Sequence, residues 1–233
     1  MQHHPITPTF GTLVEGLSLR DLSAGDLQHL YALWQRTHLL VLRAGPVERP
    51  EFEAFAAALG EVEPLRPRAP RTAWDAELSW AERPPFACML RASVAAGETW
   101  FACLPAALRL MAPGLVARLR WLELQHGPHL HPMVIMQPET GEPSLYLGAR
   151  AGTRIFGLPA AESERLLTIA WSYATAPSVT LCHRWQPGDV VVWNNLTVAH
   201  RHELPETGVR ALDGFRVRGR YTLSAPIQQE AAA

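Results

Sequence analysis

The stretch QPGDVVVWNNLTVAHR, residues 186–201, carries the strongest fold signal in the chain. Its Pro-Gly-Asp sequence is typical of a turn, and the four apolar residues that follow predict a buried strand. That strand leads into a polar segment that contains His200. Spacing alone leaves two interpretations open: His200 is a site residue at the end of a strand, or it is a histidine satisfied within the core.

Several other short strands are expected on either side of this one. Apolar or β-branched runs bounded by turn residues occur at residues 86–91, 133–136, 144–147, 179–184, 190–193 and 215–223. One helix interrupts them, beginning after Pro159 and presenting one apolar face made of Leu166, Leu167, Ala170, Trp171 and Ala174. The second half of the chain is therefore predicted to be mostly β.

The first sixty residues predict the order strand, helix, strand, helix. The strands are expected at residues 9–14 and 38–42, and the helical spacing runs through Leu27 to Trp34 and again through Phe52 to Leu59. Residues 64–71, PLRPRAPR, predict an exposed connection, and residues 228–233 a disordered tail. Together these patterns favour an α+β, mostly β fold of the sandwich or barrel type, in one domain over residues 1–233.

Composition excludes several classes of protein. The 21 basic residues, all arginine, nearly balance 22 acidic residues, so the positive charge typical of a nucleic-acid-binding protein is missing. No apolar run reaches the roughly 18 residues that a membrane span needs. Three widely spaced cysteines support neither a disulfide framework nor a cysteine zinc site. A cytoplasmic protein without nucleic-acid or membrane partners is expected.

The stretch at residues 186–201 resembles the end of the taurine dioxygenase (TauD/TfdA) family pattern. The matching positions are Gly188, Asp189, Trp193, Asn195, His200 and Arg201. Other blocks follow in the family's order, at residues 39–43, 82–85 (ERPP), 97–101 (GETWF), 131–132 and 138–141 (PETG). The resemblance spans about residues 10–225, and it is specific because the blocks are numerous and ordered.

This resemblance implies a double-stranded β-helix (jelly roll) with flanking helices. It also implies iron(II) and 2-oxoglutarate as cofactors, with the metal held by a His-x-Asp pair and a distal histidine that corresponds to His200. Thr99 and Arg216 correspond to residues that contact the far carboxylate of 2-oxoglutarate, and Arg220 to an arginine that faces the substrate. Because Arg216, Arg218 and Arg220 alternate along one strand, a solvated strand face is the competing interpretation.

The first metal-ligand motif departs from the family pattern. The chain reads WDAELSW at residues 74–80, so Asp75 stands where the family has histidine and Glu77 where it has aspartate. The implied metal set becomes Asp75, Glu77 and His200, two carboxylates and one imidazole. An aspartate oxygen reaches about 2 Å less far than the distal histidine nitrogen, whereas metal distances tolerate only about 0.2 Å. The backbone or the metal would therefore have to move.

Three alternatives to this metal set stay open. His202 lies two residues from His200 and shares its strand face, so it could complete a two-histidine set with Glu77 or Asp75. His129 and His131 form another same-face pair. A third alternative is that the metal has been lost, in which case Asp75 and Glu77 act as an acid/base pair or are exposed carboxylates on a loop.

The segment between Cys103 and His131 is shorter than the family usually has. It is where family members carry elements that cover the substrate, so an open mouth is expected. An open mouth suits a large or carrier-tethered substrate, or a second subunit in a homo-oligomer. Trp80, Trp100 and Trp121 are aromatic candidates for either contact, with Trp80 predicted beside the substrate, although core packing is the common role of tryptophan.

The expected function is oxidation of a small metabolite, for example by hydroxylation, desaturation or related C–H chemistry, and secondary metabolism is a plausible setting. The competing hypothesis is a family member without iron chemistry, acting as a metal-free enzyme or a binding module in the same arginine-lined pocket.

Overall fold

The computed structural model describes residues 1–65, 73–205 and 211–226. The first half contains β1 (Gln2–Pro5), β2 (Thr12–Glu15), α1 (Ala24–Thr37), β3 (Leu39–Arg43), α2 (Arg49–Ala57), β4 (Val62–Leu65), β5 (Ala87–Ala92), β6 (Glu98–Cys103), α3 (Leu104–Leu110) and α4 (Pro113–Leu119). The second half contains β7 (Glu123–His126), β8 (His129–Pro132), β9 (Val134–Met136), β10 (Pro143–Leu145), β11 (Arg154–Ile155), α5 (Ala160–Ala174), a short 3-10 helix (Pro177–Val179), β12 (Thr180–Arg184), β13 (Asp189–Asn194), β14 (Val198–Glu203) and β15 (Leu212–Val217). The predicted strand-rich α+β class is confirmed.

Strand β13 occupies the middle of a seven-stranded sheet with the order β1-β2-β3-β13-β5-β15-β4. It is buried along its whole length and pairs antiparallel with β3 and β5. The turn before it has a conformation that requires glycine: Gly188 has φ +84°, and a Cβ there would lie 2.5 Å from the carbonyl oxygen of Gly45. The Asp189 carboxylate accepts a hydrogen bond from the backbone N–H of Gln186 at 3.0 Å and closes the same turn. The turn and the buried strand are as the sequence predicts.

Helices α1 and α2 cover one face of this sheet. Alternate strand residues, such as Leu40 and Val192, pack with Trp34 and Phe52 in one core cluster. Ser23 caps the start of α1 through a reciprocal pair of hydrogen bonds with Asp26. The helix ends where His38 adopts a left-handed φ of 62°. Periodicity predicts both helices correctly because each has one apolar face.

A three-stranded sheet, β12-β6-β14, faces the opposite side of the large sheet. The rings of Phe101 and Trp193 meet across the gap with centroids 5.4 Å apart. Because residues alternate along β6 and β14, Thr99 and His200 share the inner face of this small sheet. Polar residues of the sequence blocks that resemble the family, such as Thr99 and His200, therefore lie on the face of the small sheet that points into the gap between the sheets.

Some sequence predictions need correction. The strand expected at residues 215–223 ends at Val217, and residues 64 and 65 of the predicted connection belong to β4. The rest of that connection, residues 66–71, and the tail at residues 228–233 lie outside the described residues. Helices α3 and α4, which fill the short segment after Cys103, are not anticipated. Cys88, Cys103 and Cys182 are free thiols. Within the described residues, no helix has the length and apolar character needed to cross a membrane.

Candidate functional site

Asp75 and His200 form a β-bridge at the edge of the small sheet. The N–H of Asp75 donates to the carbonyl of His200 at 2.8 Å, and the N–H of His200 donates to the carbonyl of Asp75 at 2.9 Å. Both residues are buried. This bridge brings the predicted carboxylate motif to the predicted distal histidine, although the two are far apart in the sequence.

The Glu77 carboxylate lies between two of the other predicted site residues. Its Oε1 is 3.9 Å from Nε2 of His200, and its Oε2 is 4.0 Å from Nη1 of Arg216. The His200 ring also packs against Trp193, with centroids 5.1 Å apart. The structure thus brings together Glu77 and His200, which the sequence assigns to the metal, and Arg216, which it assigns to 2-oxoglutarate.

Asn195 holds the backbone of Glu77 in place. Its side-chain amide bonds to both the N–H and the carbonyl of Glu77, and it also donates to the carbonyl of Pro85 at 2.9 Å. Asn195 is fully buried. The sequence pattern includes Asn195 but gives it no role, because that role depends on a contact with a distant part of the chain.

Arg216 makes a direct ion pair that the sequence does not predict. Its Nε donates to Oε2 of Glu63 at 3.0 Å, and the two residues stand opposite each other in the β4–β15 register. Hydrogen bonds from Arg216 and then from Arg218 lower the pKa of the Glu63 carboxyl group. The Arg216 guanidinium therefore lies between the carboxylates of Glu63 and Glu77.

Thr99 is fully buried on the wall beside His200. Its hydroxyl oxygen accepts a hydrogen bond from Nε1 of Trp185 at 2.8 Å and shares another with Nδ1 of His202 at 2.9 Å. The His202 ring lies 5.1 Å from the His200 ring, centroid to centroid. Thr99 is thus part of a buried polar network in which Trp185 is a member that sequence reasoning missed.

Two buried groups, Cys88 and Tyr146, lie near the carboxylates. Burial raises the pKa of the Cys88 thiol, the negative charges of Glu77 and Asp75 raise it further, and Arg216 opposes the shift. Burial, reinforced by the charge of Asp75, also raises the pKa of Tyr146. Both groups therefore stay protonated at neutral pH, and Cys88 does not have the character of a nucleophile.

Carboxylate and imidazole are the ligand types of non-haem iron sites, but the usual facial set has two imidazoles and one carboxylate, whereas Asp75, Glu77 and His200 supply two carboxylates and one imidazole. In the described part of the chain, however, no three His, Cys, Asp or Glu side chains already stand where they could hold an ion. Glu77 and His200 face each other, whereas Asp75 carries a shorter side chain than the histidine that the family places there. Asp75, Glu77 and His200 are residue types that bind divalent ions, and they lie close together in the structure. Their side chains would have to move to bind an ion together.

Arg220 and Trp80, the two residues predicted to contact the substrate, are exposed on the protein surface. Arg220 is exposed; its Nη2 donates to the carbonyl of Leu59 at 2.9 Å and its guanidinium lies 4.5 Å from the centre of the Phe86 ring. Trp80 is 48% exposed and Trp121 is 72% exposed. Trp100 is half-buried, and the Arg201 guanidinium lies 5.3 Å from the centre of its ring.

The alternative histidines are in different environments. His202 adjoins His200, as described above. His129 pairs with His126 across the β7–β8 hairpin. Nε2 of His131 lies 2.9 Å from the carbonyl oxygen of Ala81, and the His131 ring packs edge-on against Tyr146. Of the two alternative pairs considered from the sequence, His202 is the candidate that the structure brings beside His200.

Comparisons with known proteins find the same family that the sequence motifs resemble. The model of the family described as "Taurine catabolism dioxygenase TauD, TfdA family" matches residues 65–215. The chain is 30% identical to (S)-phenoxypropionate/alpha-ketoglutarate-dioxygenase of Sphingobium herbicidovorans over 84% of this chain and 87% of that protein. It is 25% identical to alpha-ketoglutarate-dependent 2,4-dichlorophenoxyacetate dioxygenase of Cupriavidus pinatubonensis over 85% of this chain and 90% of that protein.

Solved structures resemble the fold closely. A taurine dioxygenase from Burkholderia xenovorans superposes with a TM-score of 0.84 at 26% identity, covering 97% of this chain and 93% of that one. AAD-2 in complex with Mn(II) and N-oxalylglycine superposes with a TM-score of 0.86, covering 96% of this chain and 99% of that one. Its identity of 22% supports likeness of fold alone.

Proposed function

The chain belongs to the TauD/TfdA family of dioxygenases, whose members are enzymes that use iron(II) and 2-oxoglutarate, and we propose that it oxidises a C–H bond of a small organic substrate. We propose that its strands form the double-stranded β-helix of that family. Hydroxylation and desaturation are the reactions that this chemistry most simply allows.

We place the metal at Asp75, Glu77 and His200. The observation that carries this proposal is the position of the Glu77 carboxylate, 3.9 Å from Nε2 of His200 and 4.0 Å from Nη1 of Arg216. A metal site and a site for an acidic co-substrate are adjacent in that arrangement. When bound, the ion supplies the oxygen activation and electron transfer that the side chains themselves cannot perform.

The remaining residues are proposed to bind 2-oxoglutarate and to orient Glu77. Arg216 provides a planar fork that can hold the far carboxylate of 2-oxoglutarate by two parallel hydrogen bonds. Thr99 contributes its hydroxyl on the same wall. Asn195 holds the backbone of Glu77 by two hydrogen bonds and so fixes the position from which the Glu77 side chain extends.

The substrate is proposed to be a small organic molecule that enters past the exposed Trp80. The relatives named above act on phenoxypropionate and 2,4-dichlorophenoxyacetate, and another relative in Pseudomonas putida is named a sulfate ester dioxygenase. Substrates of that kind carry an anionic group, for which Arg220 is the proposed contact after movement of its side chain. A carrier-tethered substrate or a second subunit over the short segment after Cys103, and a cytoplasmic location, stay predictions.

Anaerobic titration with iron(II) and 2-oxoglutarate tests the proposal directly. One ion per chain and a charge-transfer band from the keto acid to iron are expected for the wild type. His200→Ala should lose both, whereas the matched control His129→Ala, which changes a histidine of the β7–β8 hairpin, should keep both. Absence of bound ion at saturating iron would refute the proposal.

A metal-free role is the second candidate, and one observation favours it. Arg216 and Thr99, the predicted anchors of 2-oxoglutarate, already contact Glu63, Glu77, Trp185 and His202. If iron chemistry has been lost, Asp75→His should strengthen iron binding and restore 2-oxoglutarate decarboxylation. If Asp75 serves a working metal site, the same change should weaken turnover of the native substrate.

A further inference from the structure

Helices α1 and α2 leave an apolar crevice between them on the helix-covered face of the large sheet. Leu40 of β3 and Val192 of β13, both buried, form its floor. Its walls come from the facing sides of the two helices and include Leu27, Trp34, Phe55 and Leu59. The crevice has a volume of about 240 Å³. An apolar cavity of about 150 Å³ already holds a benzene molecule, so this crevice has room for a small apolar group.

The crevice lies on the opposite side of the large sheet from the candidate metal site. Residues alternate along β13, so Val192 packs with the helices whereas the next residue, Trp193, packs in the gap between the sheets. The ring of Trp193 is the one that packs against His200. A ligand in the crevice would therefore be separated from the candidate site by the thickness of the sheet.

A cation stands at one end of the crevice. Leu59 lines the crevice, and its carbonyl accepts a hydrogen bond of 2.9 Å from Nη2 of Arg220. The Arg220 guanidinium also lies 4.5 Å from the centre of the Phe86 ring. An arginine has several N–H donors, so a guanidinium held through one nitrogen keeps others with which it can bind an anion. Arg220 thus offers donors and positive charge beside an apolar crevice.

Glu139 is the carboxylate at the same end, and its oxygens are bonded to tyrosines. It accepts hydrogen bonds from the hydroxyl of Tyr31, at 2.6 Å, and from the hydroxyl of Tyr221. Burial, reinforced by the bond to Glu139, raises the pKa of Tyr31 to about 12, so this hydroxyl stays protonated and donates. The negative charge of Glu139 opposes binding of a second anion. Burial of an apolar chain must therefore supply most of the affinity of a ligand here.

We propose that the crevice binds a carboxylate that carries an unbranched apolar chain, with the chain between the helices and the carboxylate on Arg220. Leu27 and Trp34 lie seven residues apart on α1 and both line the crevice. That separation is about 10 Å along the helix, which matches an extended chain of about eight carbons. The inference goes beyond the proposed function, because it concerns the other side of the sheet and requires no metal ion. It uses Arg220 in the observed position, whereas a contact with the substrate requires Arg220 to move.

Octanoate is the probe for this site, and calorimetry would compare it with butyrate and octanol. We expect one octanoate per chain. Each buried methylene should strengthen binding about 4-fold, so butyrate should bind at least about 100-fold more weakly. Octanol lacks the charge and should bind about 10-fold more weakly. Absence of octanoate binding would overturn the inference, and equal binding of octanoate and octanol would overturn the assignment of Arg220.

Two alanines of the α2 segment provide a matched pair of variants. Ala58 is exposed and lines the crevice, so Ala58→Phe should fill the crevice and abolish octanoate binding without removing a core side chain. Ala57 is the exposed residue before it and is not part of the lining, so Ala57→Phe should bind octanoate as the wild type does. Unchanged octanoate affinity in Ala58→Phe would contradict the proposed location.

Two arginine variants separate the crevice from the candidate site. Arg220→Gln should bind octanoate about 10-fold more weakly and octanol as the wild type does. Arg216→Gln should keep wild-type octanoate affinity, and excess 2-oxoglutarate should not displace octanoate. Loss of octanoate binding in Arg216→Gln, or displacement by 2-oxoglutarate, would place octanoate in the co-substrate pocket. Either result would overturn this inference and leave the proposed function standing.

Discussion

Asn195 and Glu77 are joined by two hydrogen bonds of 2.9 Å each, in which the asparagine side chain bonds to both the N–H and the carbonyl of the glutamate. The contact replaces strand pairing at a place where the chain is irregular. The backbone segment that carries Glu77, a proposed metal ligand, thus depends on one buried amide side chain.

Replacing Asn195 by alanine should damage both stability and metal affinity. The change removes the partner of two part-buried backbone groups of Glu77 and of the buried carbonyl of Pro85, and a fully buried group left unsatisfied costs about 1–3 kcal/mol. Loss of the support of a ligand should weaken ion binding about 10-fold or more. Urea unfolding and Mn(II) titration would measure the two effects.

The control for this change is Asn194→Ala. Asn194 is equally buried, but its side-chain oxygen accepts from the N–H of Leu196. It should lose stability while keeping wild-type metal affinity. Equal loss of metal affinity in both variants would show that Asn195 acts through general stability alone.

The turn that precedes β13 should tolerate no side chain at Gly188. Gly188→Ala meets the carbonyl oxygen of Gly45 at 2.5 Å in addition to adopting a positive φ. We expect a loss of more than about 2 kcal/mol, since a strained backbone conformation alone costs of order 1–3 kcal/mol. Thermal or urea unfolding would measure it.

Gly16→Ala provides the comparison, because Gly16 also has a positive φ of 69° but a Cβ there has nothing within 4 Å. It should lose only the conformational part, about 1 kcal/mol. Equal losses of unfolding free energy in the two variants would mean that the backbone at Gly45 moves away from the new Cβ without a cost in stability.

Acid should remove the contribution of Glu63 to stability. Hydrogen bonds from Arg216 and Arg218 place the pKa of this carboxyl group below its ordinary value of 4.5 in the folded state. A lowered folded pKa means that the stabilisation is complete above the unfolded pKa and is lost as the pH falls through the folded one. The unfolding free energy of the wild type should therefore approach that of Glu63→Gln as the pH is lowered below about 4.5.

Urea unfolding of both proteins between pH 3 and pH 7 would measure that difference. Because Glu63 is partly exposed, we expect the contribution to be modest. A constant difference over the whole range would show that the ion pair with Arg216 does not stabilise the fold.

The parts of the fold that the sequence predicts are those with a local cause. Helix α1 follows from its apolar period and its serine cap, and β13 from four consecutive apolar residues after a Pro-Gly-Asp turn. The convergence of Glu77, His200 and Arg216 follows from the family resemblance. Whether Asp75, Glu77 and His200 bind an ion stays a prediction.

The contacts that the sequence does not predict depend on register. Glu63 reaches Arg216 because β4 pairs with β15 in one particular alignment, and a shift of one residue would place the two side chains on opposite faces. Trp185 reaches Thr99 from the turn after β12. The signal that could have identified Glu63 is an acidic residue on an edge strand, which is too common to be informative.

The bridge between Asp75 and His200 has a consequence for dynamics. Outside this bridge, Asp75 belongs to no strand, whereas His200 lies within β14 and is held by the neighbouring β6. The amide proton of Asp75 should consequently exchange with deuterated solvent faster than the β14 amide protons that bond to β6, because opening a single bridge requires no unfolding of the sheet. The proposed metal site thus combines a histidine within a paired strand with an aspartate whose backbone pairs with the sheet through a single bridge.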